Sequence, residues 1–328
     1  MIKQRFIIIF CTIIFGFSNW IKAQDVSFSQ YYANLLYLNP AYAGSEICPR
    51  ISLNSRTQWP GLRANFQTYS ASYDQHSDFL QGGIGFQIVQ DAQGDGAIKT
   101  TSISAAYSYD LKINRFISVK GGFQASYFQR SIDKSNMIFA DMIDPLHGII
   151  YETKEILPDL DKKFFDVSAG FIAYSKQYYL GFAVHHLTEP GESNLSRSDD
   201  ILARKYTLHF GTTIPLTSER FKRGELSISP NFLYQKQSDN QQLNYGLYLN
   251  RLNIVGGIWL RHNLKFERDS WILLLGYVKD NYKISYSYDL TVSELGRETL
   301  GAHEITLTFM LPCKPKTKIF KAINCPSF

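Results

Sequence analysis

The sequence has little charge and lacks any hydrophobic run long enough for a membrane-spanning helix. Charged residues make up 19% of its 328 residues, below the roughly 25% of an ordinary soluble domain. The longest apolar run, residues 6–17, falls short of the roughly 18 residues that a spanning helix needs. A helical membrane protein is therefore excluded. Aromatic residues, by contrast, reach 15%, which excludes a disordered chain because disorder requires few aromatics and a high net charge.

The first 23 residues are typical of a secretory signal peptide. Lys3 and Arg5 give a positive start, the apolar run follows, and we expect cleavage after Ala23. Cleavage would leave 31 basic against 29 acidic residues, a formal net charge of +2. These charges are scattered along the chain rather than gathered in a basic patch, so nucleic acid is not an expected partner.

The rest of the chain alternates between apolar and small polar residues with a period of two, which is typical of β-strands. In the clearest example, residues 282–290, aromatic and aliphatic side chains share one face while lysine, serine and aspartate share the other. No helical pattern separates such segments, which excludes a parallel α/β sheet. The pattern predicts fourteen strands, near residues 51–58, 66–74, 79–90, 98–110, 115–128, 164–175, 178–187, 204–216, 225–236, 241–249, 252–262, 270–279, 282–291 and 302–311.

Two all-β architectures fit this alternation, a soluble sandwich and a membrane barrel. A membrane barrel turns its apolar face to lipid, keeps polar residues in the lumen and has aromatic residues near the strand ends. Most predicted strands are longer than the five to six residues usual in soluble sheets, and tilted strands need about 9–11 residues to cross a bilayer. The sequence therefore predicts an antiparallel transmembrane β-barrel of about 14 strands in the outer membrane, over residues 51–311.

The lengths of the connections give independent support, since such barrels have short periplasmic turns and longer extracellular loops. With a periplasmic N-terminus, the predicted outward connections include Gln90–Ala97, Gln129–Lys163 and Thr188–Ala203. The predicted inward connections include the short stretches 75–78, 112–114, 176–177 and 280–281. Residues 217–224 are an exception, because they form a longer inward turn.

Two segments lie outside the predicted barrel. Residues 24–50 are rich in aromatic residues and asparagine, and we expect a periplasmic or lumenal segment. Residues 312–328 form a basic tail without acidic residues, which either contacts anionic lipid headgroups or a periplasmic partner or stays solvated. Because the number of predicted strands is even, both segments are expected on the periplasmic side.

Three cysteines remain after cleavage of the signal peptide: Cys48, Cys313 and Cys325. An exported protein meets an oxidising compartment, so one disulfide and one free thiol are expected. Cys313 and Cys325 flank the lysine-rich part of the tail and form one candidate pair. Pairing of Cys48 with either of them would instead tie the N-terminal segment to the tail.

Other residue clusters suggest chemistry only weakly. Asp91 and Asp95 lie in a glycine-rich segment but lack the remaining ligands of an EF-hand. His185, His186 and Glu189 converge on a metal ion only if a strand ends there, because adjacent strand residues point to opposite faces. No spacing singles out a set of Ser, His and acid. We therefore expect no enzyme activity, no cofactor and no metal site.

Three sequence blocks are distinctive: FSQYYANLLYLNPAYAG at residues 28–44, RTQWPG at residues 56–61, and YSYDLTVSELGRETLGAHEITLTF at residues 286–309. In this order they resemble the PorP/SprF family, outer-membrane proteins of the type IX secretion and gliding machinery of Bacteroidetes. The family more often has serine where Ala302 stands. The middle of the chain carries no matching block.

The resemblance implies a non-enzymatic role at the outer-membrane lipid. Family members assist secretion and surface attachment of a large adhesin with a type IX sorting domain, or link to periplasmic secretion-ring or peptidoglycan-linked components. A diffusion channel or hydrophobic-solute transporter is the alternative, since a 14-strand barrel can hold a lumen. The expected structural or docking positions are Asn39, Pro40, Tyr42, Gly44, Arg56, Trp59, Asp289, His303 and Glu304.

Overall fold

A computed structural model of the chain describes residues 25–62, 64–114, 116–133, 140–144, 146–151, 153–154, 161–191, 201–216, 226–264, 268–292 and 298–313. The predicted signal peptide and residues 314–328 of the basic tail lie outside these ranges. None of the helices within them is long and apolar enough to cross a membrane.

The described residues form fourteen long antiparallel strands, as the alternation predicts. They are β1 Arg50–Gln58, β2 Phe66–Ser77, β3 Gly82–Gln93, β4 Ile98–Lys112, β5 Ser118–Ile132, β6 Lys162–Tyr174, β7 Tyr178–His185, β8 Lys205–Thr212, β9 Leu226–Gln237, β10 Asn240–Arg251, β11 Ile254–His262, β12 Arg268–Lys279, β13 Tyr282–Thr291 and β14 Ala302–Met310. The pair Ile214–Pro215 continues β8 and also contacts β9.

The sheet closes into a barrel because its first and last strands pair with each other. β1 and β14 run antiparallel in unbroken register from Arg50 opposite Met310 to Gln58 opposite Ala302. Every other strand pairs with its neighbours in the chain, including β8 with β9. Closure gives each backbone group a partner, which the hydrocarbon of a bilayer requires. This confirms the predicted fourteen-strand barrel.

The two faces of the strands follow the predicted alternation. On β4, Ile103 and Tyr107 face outward and are exposed, whereas Ser104 and Ser108 face the lumen and are buried. Serine, threonine, asparagine and charged residues line the inside of most other strands in the same way. The barrel thus presents an apolar outer surface, as a lipid-facing barrel must.

The connections sort into two kinds, although one predicted loop is wrong. One end of the barrel, which we call the short-turn end, contains the described residues 78–81, 113–114, 116–117, 175–177, 252–253 and 280–281. The opposite, long-loop end contains the connections β5–β6 and β7–β8. The predicted long loop Gln90–Ala97 is instead a tight turn over residues 94–97, because β3 continues to Gln93. Residues 217–224 lie outside the described part of the chain.

Residues 25–49 fill the lumen, and we call this segment the plug. It begins at the long-loop end, where Asp25 contacts His186, and it leaves at the short-turn end next to β1. A single helical turn, α1 (Leu35–Leu38), and a 3-10 turn, Pro40–Tyr42, are its regular elements. The segment joins β1 at the short-turn end, which the parity argument assigns to the periplasm, but residues 28–45 lie inside the barrel. The lumenal alternative is the observed one.

The disulfide joins Cys48 to Cys313, across 265 positions of the sequence. Cys48 lies just before β1 and Cys313 just after β14, and the pairing of these strands brings the two Cα atoms to 5.5 Å. The candidate pair Cys313–Cys325 is therefore wrong, and Cys325 lies outside the described residues. The bond covalently ties the plug to the residue that follows β14, at the short-turn end of the barrel.

Candidate functional site

The plug carries much of the hydrophobic core of the molecule, inside the barrel. The ring of Tyr32 lies 6.0 Å from Tyr179 and 6.0 Å from Trp259. Both contacts bury large aromatic surfaces at geometries that aromatic pairs favour. All residues from 28 to 45 except Tyr37 are buried. The lumen is therefore packed like a protein interior over the length of this segment.

The turn between Asn39 and Gly44 lies directly on the backbone of the barrel wall. Gly44 adopts φ +55°, and a Cβ there would lie 2.6 Å from the Cα of Gly83. On β5, two strands away from Gly83, a Cβ at Gly122 would overlap the backbone of Ala41. Glycine is required at both positions because only glycine lets two backbones approach so closely.

Two of the predicted positions in this turn contact the wall through polar groups. The Asn39 side chain caps the 3-10 turn by accepting from Ala41 N at 2.9 Å. Its amide nitrogen donates to the carbonyl of Phe171 at 3.2 Å and lies 3.3 Å from His209 Nε2. Tyr42 stacks on the ring of His209 at 5.5 Å. Pro40 begins the turn and is buried with them.

At the short-turn end, the plug backbone is held by buried charges. The N–H of Gly44 donates to Asp74 Oδ2 at 3.0 Å, and its carbonyl accepts from Lys120 Nζ at 2.9 Å. Arg50 in turn pairs with Asp74, Nε to Oδ1, at 2.9 Å. These charges satisfy main-chain groups of the plug that water cannot reach.

Close to the long-loop ends of their strands, four charged residues of the wall surround Ser29 of the plug. Arg56 lies 3.1 Å from both Glu304 and Asp289, and Arg261 lies 3.1 Å from Asp289. The Ser29 N–H donates to Glu304 Oε2 at 2.7 Å. All four side chains are almost fully buried. The charges balance as two cations and two carboxylates, which offsets the cost of desolvating each one.

At the long-loop end, the carboxylate of Asp25 contacts two cations of the barrel wall. Asp25 Oδ2 lies 2.8 Å from His186 Nε2 and 3.5 Å from Lys205 Nζ. His186, in the loop after β7, also contacts Asp166 through Nδ1 at 2.9 Å. Burial alone would lower the pKa of His186, but the carboxylates of Asp25 and Asp166 outweigh it and raise that pKa to about 9. The imidazole is therefore a cation at neutral pH.

Among the described residues, the two remaining predicted positions make no hydrogen bond or ring contact with the plug. Trp59 follows β1 with φ 57°, and its ring packs edge-on against Phe66 at 5.5 Å. His303 points outward from β14, where its Nδ1 lies 2.7 Å from the hydroxyl of Tyr286. Its neighbour Glu304 points into the lumen, as strand alternation predicts. The predicted set therefore divides into plug contacts and two residues outside them.

The residues considered for metal chemistry are separated or otherwise engaged. His185 lies 3.3 Å from the carbonyl of Leu38, and Glu189 pairs with Arg204 at 3.2 Å. Asp91 accepts from Thr68 Oγ1 at 2.6 Å. Across the described ranges, no group of three or more His, Cys, Asp or Glu residues is arranged to hold a metal ion.

Sequence reasoning missed several residues that hold the plug. Arg261, Lys120 and His209 are charged or titratable residues at lumen-facing positions of otherwise alternating strands. That placement was a usable signal, because a buried charge in a barrel needs a partner. The partners Ser29 and Asp25 carried no comparable signal, since nothing in the sequence of the plug indicates which strand it faces.

A closed barrel with an apolar exterior and a lumen filled by its own N-terminal segment defines an outer-membrane β-barrel protein of the plugged kind. The sequence profile of the family described as "Type IX secretion system membrane protein PorP/SprF" matches residues 21–309. The chain therefore belongs to the PorP/SprF family. Membership implies a location in the outer membrane and partners in the membrane and the secretion system.

Solved structures with a similar fold are distant in sequence. The Acinetobacter baumannii outer membrane protein Omp33 is 8% identical, with TM-score 0.43 over 82% of this chain and 100% of that one. A Pseudomonas aeruginosa FadL homologue is 13% identical, with TM-score 0.44 over 83% and 92%. The Ralstonia pickettii toluene transporter TbuX is 8% identical, with TM-score 0.48 over 83% and 90%. No curated protein matches the sequence.

Proposed function

We propose that this protein anchors a surface adhesin with a type IX sorting domain, or assists its export, by protein–protein binding at the outer membrane. The main support is the plug, which occupies the lumen from Asp25 to the disulfide at Cys48. A barrel filled in this way offers partners its loops and rims rather than a passage. The proposed role needs no catalytic step.

The predicted docking positions support this role indirectly. Asn39, Tyr42, Arg56 and Glu304 are buried between plug and wall, so they would keep the barrel rigid rather than touch a partner. Binding would then fall to the loops at the long-loop end for the adhesin. The short-turn end would meet periplasmic secretion-ring or peptidoglycan-linked components. Long loops on a rigid scaffold are common carriers of binding.

The alternative function, a diffusion channel or hydrophobic-solute transporter, draws on two cavities at the long-loop end. Their volumes are about 350 and 440 Å³, within the range of small-molecule sites. Conduction would require the plug to move, because buried contacts between the plug and the wall close the lumen beyond the two cavities. Planar-bilayer recordings separate the two functions: we expect silence, whereas robust open currents would favour the channel.

Affinity purification of the tagged protein from native membranes tests the proposal directly. We expect a protein with a type IX sorting domain, or a component of the secretion machinery, among the recovered proteins. An unrelated tagged barrel from the same membranes is the matched control. Recovery of neither class above that control would contradict the proposed function.

A further inference from the structure

The contacts of Asp25 define a complete binding site for a peptide that carries a carboxylate. His186 Nε2 and Lys205 Nζ meet its carboxylate at 2.8 and 3.5 Å. The backbone N–H of Asp25 donates to Gln237 Oε1 at 3.0 Å. The site thus recognises an acidic side chain and the main chain that bears it. Two cations and an amide acceptor are supplied by three different parts of the barrel.

Both cations are held in place by groups other than Asp25. His186 contacts Asp166, whose second oxygen accepts from Thr188 Oγ1 at 2.8 Å. Lys205 Nζ lies 4.7 Å from the centre of the Tyr37 ring, a distance at which a cation–π contact is attractive. The site would therefore keep its geometry if Asp25 left it.

The resident peptide is less buried at residues 25–27 than in the plug residues that follow them in the lumen. Residues 25–27 are half-buried, whereas residues 28–36 are buried throughout. The two cavities lie on either side, and Asp25, Val26 and Lys205 line both. In the smaller cavity, Gln124 is 92% buried and its Oε1 accepts no hydrogen bond within the described residues. Space and an unused polar group therefore adjoin the carboxylate site.

We propose that this site binds an acidic peptide segment of a partner protein and that residues 25–27 are its resident substitute. An incoming aspartate or glutamate replaces the carboxylate of Asp25 between His186 and Lys205, and its flanking residues enter the neighbouring cavity. The plug from residue 28 onward stays in place because its own buried contacts hold it. The proposal deepens the proposed function by naming the chemistry of the partner, and it rests on that function only for the identity of the partner.

A synthetic peptide tests the site in the purified full-length protein. The probe is a fluorescent, amidated peptide that copies residues 25–28, and its counterpart has asparagine in place of aspartate. Fluorescence anisotropy in detergent should detect binding of the acidic probe and none of the asparagine probe at the same concentration. Equal binding of both probes would overturn the proposal without any variant being made.

Variants of the protein sharpen the test, because one of them should bind more tightly. Asp25→Asn removes the competing carboxylate, so we expect the acidic probe to bind about tenfold more tightly. A gain of this size corresponds to a site that Asp25 occupies about 90% of the time and that the substitution frees. Lys205→Met should abolish binding, whereas Lys236→Met, at an exposed lysine next to Gln237, should not. A gain of affinity cannot result from misfolding.

The outcomes separate this inference from the proposed function. An unchanged affinity in Asp25→Asn, or full binding by Lys205→Met, would overturn the carboxylate site even if the adhesin co-purifies. Tight binding of the acidic probe without any co-purified adhesin would uphold the site and contradict the anchoring role. Heat-dependent gel mobility checks that each variant forms the closed barrel.

Discussion

The two ends of the plug are held in contrasting ways. At the short-turn end, Gly44 is bound through both its main-chain groups to buried charges, and the Cys48–Cys313 bond adds a covalent link. At the long-loop end, the half-buried Asp25 provides the charged contacts of the first three residues. The plug is thus held covalently and by buried charges at the short-turn end, and by noncovalent contacts of a half-buried residue at the long-loop end.

The contrast indicates which part of the plug can take part in binding. Local opening involves segments with few buried apolar contacts, and residues 25–27 meet that description while residues 28–45 do not. A ligand at the long-loop end would therefore displace a few residues and leave the lumen closed. The following changes test how far the two ends differ, beginning with the largest expected effect.

Removing a charge from the buried cluster around Ser29 should cause the greatest loss of stability. Glu304→Ala leaves Arg56 with one buried partner fewer and orphans the N–H of Ser29. Breaking a buried ion pair costs about 3–5 kcal/mol. Guanidinium unfolding in detergent measures the change in the free energy of unfolding. Glu298→Ala, at an exposed loop position, is the control. A loss no greater than that of the control would show that the cluster does not stabilise the plug.

Loss of the disulfide should have the next largest effect. Cys48→Ser removes a link that closes nearly the whole chain, and disulfides of this type contribute about 2–4 kcal/mol. Unfolding with and without reductant measures the difference, and non-reducing peptide mapping identifies the pair. Cys325→Ser is the control, which should leave the mapped Cys48–Cys313 bond intact. Detection of a Cys313–Cys325 peptide instead would contradict the observed pairing.

A bulky residue at Gly122 should push the turn off the wall without breaking the barrel. The added side chain of Gly122→Val overlaps the backbone of Ala41, and overpacking costs about 1–3 kcal/mol. Gly121→Val is the matched control, because a Cβ there meets nothing within 4 Å. We expect bilayer currents from Gly122→Val and none from Gly121→Val. Silence of both, with unchanged stability, would mean that the turn does not close the lumen.

The smallest expected effect is a local response of the long-loop end to pH. The pKa of His186 is raised above its ordinary 6.5 to about 9. Its attraction for Asp25 is therefore complete below about pH 6.5 and is lost as the pH rises through about 9. A spin label at Ser27→Cys, in a Cys325→Ser background, should become more mobile over this range. The same label with Asp25→Asn should be mobile at every pH. Equal mobility of the two labelled proteins at pH 6.5 would show that the contact between Asp25 and His186 does not hold this end of the plug.

Much of the candidate site was accessible to sequence reasoning, for two different reasons. Strand alternation predicts that His303 and Glu304 lie on opposite faces of β14; in the structure Glu304 is buried in the lumen and His303 points outward. Asn39, Tyr42 and Gly44 were selected through the family resemblance, not through a physical argument about the lumen. Pro230 shows the limit of propensity: β9 continues through it, opposite Leu247, although proline donates no hydrogen bond to the ladder.

The sequence by itself determined the barrel, because lipid and lumen impose opposite chemistry on alternate residues. The strands accordingly alternate between apolar and polar residues. Only the tertiary structure decided where the plug lies, which cysteines pair and which carboxylates hold it. Ser29 meets Asp289 across 260 positions of the chain, and Cys48 meets Cys313 across 265. Such contacts depend on the closure of β1 onto β14 and on the register of all the strands between them. A local sequence pattern specifies neither the closure nor the register.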